Sequence, residues 1–403
     1  MLIAASSLIP AAEPADRTAT ILGPGYVICD GGMIAEVGSG PPPGPPDIEL
    51  RTGYLLPGLV DLQVNGYFGI ELGDADPAGW ADVAHRLPCT GTTAFLPTFI
   101  TSPVDDLVAA LRGTASFARD LRGPVTADDG APGIPGGARV LGVHLEGPFI
   151  AASRRGAHNQ DWIIPPDEAT IGRLLAAGAG LVRVVTLAPE IDGGMAAIKQ
   201  LTDAGVLVSV GHSDATAAQV AAAATAGARM VTHLFNGQRP LHHREPGVVG
   251  QALIDTRLVS GLIADMHHVV GPVAALAFRA APRRIALVTD AAASAGMAQG
   301  RFELGGEPIE LANEDGAPPA RVDGTLAGSA LRMDAAIANM VRAGVGLPDA
   351  VAAATRIPAD LIGRADLGRI ARGAAADLVW LTDDLTTAAT WVAGRQVHGP
   401  SLG

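Results

Sequence analysis

Short apolar runs, each closed by a turn, recur through the middle of the chain, and most of them finish on a polar residue. They read LVDLQVN (59–65), TAFLPTFI (93–100), VLGVHLEG (140–147), LVRVVTLAP (181–189), VLVSVGH (206–212), MVTHLFN (230–236), LVSGLIAD (258–265) and RIALVTDA (284–291). Segments with helical patterning, such as DEATIGRLLAAGAG and ATAAQVAAAATAGAR, lie between several of them. Near-continuous apolar strands alternating with helices predict a parallel sheet covered on both faces. Eight such strands point to an α/β fold of the TIM-like (β/α)8 barrel kind, with an open doubly wound sheet as the fallback.

The two ends of the chain read differently. Residues 1–56 form short strands and turns interrupted by the break GSGPPPGPP, which no helix tolerates. The C-terminal stretch LGRIARGAAADLVWLTDDLTTAATWVAGRQVHG has the same short-strand character. The expected organisation is a small β domain, a sandwich built from both termini (1–56 and 365–403), beside a catalytic barrel over 57–364. The stretch 301–324 reads equally as a fixed β insertion or as a mobile lid.

The polar residues fall at the C-terminal ends of the strands: Gln63 and Asn65, Glu146, His212, His233, Asp265 and Asp290. In a barrel those ends share one mouth, where active sites of this architecture are built. Singly, each has an ordinary explanation: a hydrogen-bonded core histidine, a paired carboxylate, or an aspartate capping a helix. Together, Glu146, His212 and His233 make the one-carboxylate, two-imidazole set of a catalytic zinc with a position left for water. Asp290 then stands as the acid/base beside it.

Composition narrows the class. The chain has 403 residues, 48% of them hydrophobic and 17% charged, enough apolar material for a large core. A net charge of -13 argues against a nucleic-acid or anionic membrane surface. Two cysteines, Cys29 and Cys89, are too few for a disulfide framework. No window has the apolar length to span a bilayer, and the N-terminus lacks the features of a secretory signal. The expectation is a cytoplasmic protein.

In order and spacing, LLPGLVDLQVNG, GVHLEGPFI, RRGAHN, VSVGHSDAT, VTHLFN, HHREPGVVG, LVTDA and GTLAGSAL resemble the N-acetylglucosamine-6-phosphate deacetylases of the amidohydrolase superfamily. The resemblance spans nearly the whole chain. It implies a hydrolase that releases acetate from N-acetylglucosamine 6-phosphate, with Glu146, His212 and His233 as metal ligands and Asp290 as catalytic acid/base. It further implies substrate contacts from Gln63, Ala157, His158, Asn236, Gly237, His268, Leu326, Ala327 and Gly328. A homodimer is implied, with Arg244 reaching the phosphate in the neighbouring subunit's site.

Many amidohydrolases carry His-x-His on the first strand and a lysine on the fourth to hold two metals. Here the first strand has Gln63-x-Asn65 and the fourth ends TLAPE. Amides are poor zinc ligands. One divalent ion per subunit is expected, zinc ahead of Fe2+ or Mn2+, with a weak second site left open. Two departures lie near the sugar: Asn236-Gly237-Gln238 stands where the family reads Asn-Ala-Met, and no proline follows Asp290 in the usual place. They keep alive an amidohydrolase acting on a different N-acyl amino sugar or a cyclic amide. A non-catalytic phosphosugar sensor is the rival from another class.

Overall fold

Eight parallel strands, β1 (Leu59–Val64), β2 (Thr92–Ile100), β3 (Val143–Glu146), β4 (Val182–Leu187), β5 (Leu207–Val210), β6 (Met230–Val231), β7 (Val259–Ile263) and β8 (Ile285–Val288), pair in chain order in the computed structural model. It describes residues 1–11, 21–120, 136–312 and 317–402. The ring closes where the chain leaving β8 returns to β1. There Asp290 N–H donates to Gln63 O (2.9 Å), and Asn65 N–H donates to Ala291 O (2.8 Å). β1, β2, β3 and β8 are buried at every position, as expected of strands covered by side chains inside and helices outside. These strands coincide with the eight apolar runs, so the sequence pattern and the (β/α)8 architecture agree.

Helices follow the strands, and local signals start several of them. Thr216 opens Ala217–Ala226 with a capping box: its hydroxyl accepts the Gln219 N–H while the Gln219 side chain accepts the Thr216 N–H. Asp167 caps Glu168–Gly178, and Asp76 followed by a proline caps Pro77–Arg86.

The ends of the chain build two four-stranded sheets. One has the order Met33–Ser39, Gly25–Asp30, Leu2–Ala5, Ile48–Leu50; the other runs Arg395–His398, Thr387–Val392, Leu378–Leu381, Tyr54–Pro57. In the second, Tyr54–Pro57 lies antiparallel to Leu378–Leu381, so opposite ends of the sequence share a sheet. Ile3, Leu8, Val27, Ile34, Leu55, Leu378 and Trp391 form a core separate from that of the barrel. For the domain limits we propose 56/57 and 364/365, the first falling at the end of the strand Tyr54–Pro57. Within 301–324 the structure shows an antiparallel hairpin, Gly300–Leu304 with Glu307–Leu311; residues 313–316 lie outside the described set.

Candidate active site

Strand alternation decides what points into the barrel. On β1, Asp61 and Gln63 face inward with Asn65 just beyond, while Leu62 and Val64 face the helices. On β3, His144 and Glu146 share the inner face. The result is a buried polar layer in an apolar fold. Asp61 accepts the Thr289 hydroxyl (2.6 Å), and His144 Nε2 meets Thr186 Oγ1 (2.7 Å). Thr186, Thr232 and Ser209 then link through their hydroxyls at 2.6 Å each. Burial pushes His144 down to about 4 and so keeps it neutral.

Above this layer Glu146, His212 and His233 converge. Glu146 Oε1 lies 2.8 Å from His233 Nε2 and 3.1 Å from His212 Nε2, and the two nitrogens are 3.1 Å apart. All three side chains are at least nine-tenths buried. Burial opposes the charged carboxylate, yet the two imidazoles outweigh it and hold Glu146 well below the ordinary carboxylate range. His212 Nδ1 lies 2.9 Å from the Arg154 carbonyl, which only accepts, so this nitrogen bears the proton. With Nδ1 engaged in this way, Nε2 is the ring nitrogen turned toward the cluster and available to a metal. Two nitrogens and a carboxylate oxygen gathered this tightly suit a divalent cation, and the donor set fits zinc.

The backbone pays attention to the same residues. His212 (φ 45°), His233 (φ 26°) and Asp290 (φ 51°) all adopt the left-handed conformation that non-glycine residues avoid. Each such residue costs about 1–3 kcal/mol unless its surroundings impose it. The turn at each strand end thus aims a side chain across the mouth.

Asp290 stands opposite. Its Oδ1 accepts from Asn65 Nδ2 (2.7 Å) and Gln63 Nε2 (3.0 Å), and the Gln63 amide also donates to Glu146 Oε2 (3.1 Å). Burial, reinforced by the charge on Glu146, raises Asp290 to about 6. His158 is held near 3 by burial and then by His212, whose ring centroid is 4.3 Å away. Its Nδ1 receives the Thr101 N–H (3.4 Å) and contacts the Thr101 hydroxyl (2.7 Å), leaving Nε2 as the donor. His268 is oriented by Asp265, 2.7 Å from its Nδ1.

These groups surround a cavity of about 230 Å³ lined by Glu146, Ala157, His158, His212, His233, Asn236, Gly237, His268, Asp290, Leu326 and Gly328, among others. Three members of the expected set lie elsewhere. Gln63 is fully buried and braces Glu146 and Asp290 from behind; Ala327 is buried beneath the wall; Arg244 is exposed on the loop before Gly247–Ile254. The sequence reading placed Asn65 at the mouth without a role and missed Ile100, Gly156, Ile263, Leu304 and Thr325 as lining residues. Leu304 arrives on a hairpin with no local signal. A larger cavity, about 390 Å³, opens beside Ile285 at the start of β8. Its lining has arginines and one aspartate but no histidine, so chemistry rather than volume assigns the site.

Comparison with known proteins agrees with this geometry. The model of the amidohydrolase family matches residues 54–397. The chain belongs to the amidohydrolase family. Its relatives within that family include amino-sugar phosphate deacetylases. It is 38% identical to N-acetylglucosamine-6-phosphate deacetylase of Bos taurus over 85% of this chain and 83% of that one. It is 36% identical to N-acetylgalactosamine-6-phosphate deacetylase of Escherichia coli O157:H7 over 90% and 92% respectively. The structure of a point mutant of N-acetyl-D-glucosamine-6-phosphate deacetylase from Mycobacterium smegmatis in complex with N-acetyl-D-glucosamine-6-phosphate superimposes with a TM-score of 0.88. That match has 34% identity and covers 98% of this chain and 99% of that one. This amidohydrolase is thus a hydrolase of amide bonds, and no helix among its described residues is long and apolar enough to cross a membrane.

Proposed function

We propose that this amidohydrolase deacetylates N-acetylglucosamine 6-phosphate, giving glucosamine 6-phosphate and acetate. The observation that carries the reading is the buried Glu146–His212–His233 cluster facing Asp290 across one cavity. Glu146, His212 and His233 would hold one divalent ion, zinc by the chemistry of the donor set. When bound, that ion supplies Lewis acidity toward the acetyl carbonyl and acidifies the attacking water.

The chain's own groups do the rest. Asp290, poised near 6 with one oxygen fixed by two amides, takes a proton from water as it attacks and delivers one to the departing amine nitrogen. His158, neutral and with Nε2–H free to donate, stabilises negative charge growing on the acetyl oxygen. Ala157, Leu326, Ile100 and Leu304 exclude water along one wall. Asn236, Gly237, His268 and Gly328 border the space left for the sugar, whose 6-phosphate needs a cation.

For that cation we propose Arg244 of a second copy in a homodimer. Within its own chain the Arg244 side chain is exposed, in a loop tightened by the His242 and Glu245 backbones, which bond reciprocally at 3.2 and 3.1 Å. Exposed Leu241, Ile254, Val270 and Leu276 sit on that loop and the two helices that follow it. A cytoplasmic setting fits a phosphorylated substrate. The test is acetate release by the zinc-loaded protein from N-acetylglucosamine 6-phosphate, N-acetylgalactosamine 6-phosphate and unphosphorylated N-acetylglucosamine. Turnover confined to the first supports the assignment; preference for the second replaces the sugar, and equal use of the third removes the phosphate site.

A further inference from the structure

Asn236-Gly237-Gln238 is the place where this sequence departs from Asn-Ala-Met, and the structure shows what its last two residues touch. Gly237 has φ 59°, and a Cβ there would lie 2.8 Å from His212 Nδ1, 3.1 Å from His212 Cε1 and 3.3 Å from the Arg154 carbonyl oxygen. The first and last of those atoms are the two ends of the hydrogen bond made by His212 Nδ1. Glycine therefore lets the backbone pass flat against the ring.

Gln238 is 3% exposed and does not line the cavity. Its Nε2 donates to the Thr232 carbonyl at 2.7 Å, and its Oε1 accepts the Phe235 N–H at 3.0 Å. Those two backbone groups bracket His233, in a segment where both His233 (φ 26°) and Phe235 (φ 81°) are left-handed. The backbone on either side of Gln238 works on the other arm. It bridges in parallel to Ser213, with Ser213 N–H donating to Gly237 O and Arg239 N–H to Ser213 O, both at 3.0 Å. Ser213 directly follows His212. The segment thus ties the His212 turn through the Gly237 and Arg239 backbones and the His233 turn through the Gln238 side chain. A methionine side chain has no N–H to offer the Thr232 carbonyl and only a weakly accepting sulfur for the Phe235 N–H.

We propose that Gln238, together with Gly237, is a positioning element that fixes the two histidine arms relative to each other. The departure at Gln238 thus changes how the ligands are held. This rests on Glu146, His212 and His233 binding a metal, so the experiment reads metal binding separately from turnover. In the full chain, Gln238→Met and Gln238→Glu are compared with wild type by zinc competition against a chelator. The Co2+-substituted absorption spectrum, kcat and KM are recorded in parallel.

The expected result is zinc affinity lowered about 10–100-fold, the range found when partners that orient metal ligands are lost. The Co2+ bands shift, kcat falls, and KM stays within about twofold. Gly237→Ala is the second variant should the buried position not tolerate change: pressing on His212 from the surface side, it lowers zinc affinity in the same way. Wild-type zinc affinity and Co2+ bands in these variants, with or without a raised KM, overturn the proposal. Wild-type protein that binds neither Zn2+ nor Co2+ overturns the metal reading beneath it, a different result from variants that bind as wild type does.

Discussion

Replacing Gln63 by leucine removes one amide from the middle of the site while keeping most of the side-chain volume. The Gln63 Nε2 group lies 3.0 Å from Asp290 Oδ1 and 3.1 Å from Glu146 Oε2, so two carboxylates lose a shared donor at once. A hydrogen bond to a charged acceptor contributes about 1.5–3 kcal/mol. At 1.36 kcal/mol per pKa unit, losing the one to Asp290 raises that carboxyl by about one to two units. The sign follows from what the donor favours: it stabilises the carboxylate, so its loss stabilises the acid. Asp290 must be a carboxylate in the resting enzyme to accept a proton from water. The acid limb of kcat/KM therefore moves to higher pH by about one to two units, with activity recovering at alkaline pH. The assay is acetate release from N-acetylglucosamine 6-phosphate across the pH range, wild type against Gln63→Leu. A uniform loss with the acid limb unmoved would refute the reasoning and reduce Gln63 to a packing role.

Asp290→Asn keeps the shape and removes the proton carrier; kcat should fall by about 10²–10⁴-fold while metal analysis shows the ion retained. Arg244→Ala should raise KM for the phosphorylated sugar by about 10–100-fold, the value of one charge-assisted hydrogen bond, with little change for the unphosphorylated one in steady-state kinetics. Glu71 accepts the Gly305 N–H at 2.6 Å, tying the hairpin down, and burial raises its carboxyl to about 7. Because the folded state holds that proton more tightly, stability falls as pH rises from about 4.5 to about 7, by on the order of 3 kcal/mol. Glu71→Gln should flatten that part of the dependence in denaturant titrations at acid and at neutral-to-alkaline pH.

Most of the barrel was legible because a strand buried on both faces has to be largely apolar, and the eight runs are. The ligands were legible for the complementary reason: Glu146, His212, His233 and Asp290 interrupt those runs at one end. The polar layer beneath them escaped because Asp61, His144, Thr186, Ser209 and Thr232 read as isolated polar residues until alternation places them on one inner face. Gln63 was placed against the substrate, since its position on the strand cannot reveal that its amide turns toward Glu146 and Asp290. What Gln238 holds in place was hidden for a related reason. Its partners, Thr232 O and Phe235 N–H, are backbone groups that no residue pattern reports. Leu304 and Thr325 reach the cavity from the hairpin and the strand of chain beyond it, where contacts are long-range and leave no local periodicity.

The central claim is a single divalent ion held by Glu146, His212 and His233 opposite Asp290. Anomalous diffraction at the zinc edge, from crystals of the zinc-loaded protein, tests it most directly. The account predicts one strong peak per chain, about 2.0–2.2 Å from His212 Nε2, His233 Nε2 and a Glu146 oxygen. No peak among those three side chains, or one principal peak elsewhere in the chain, would contradict it.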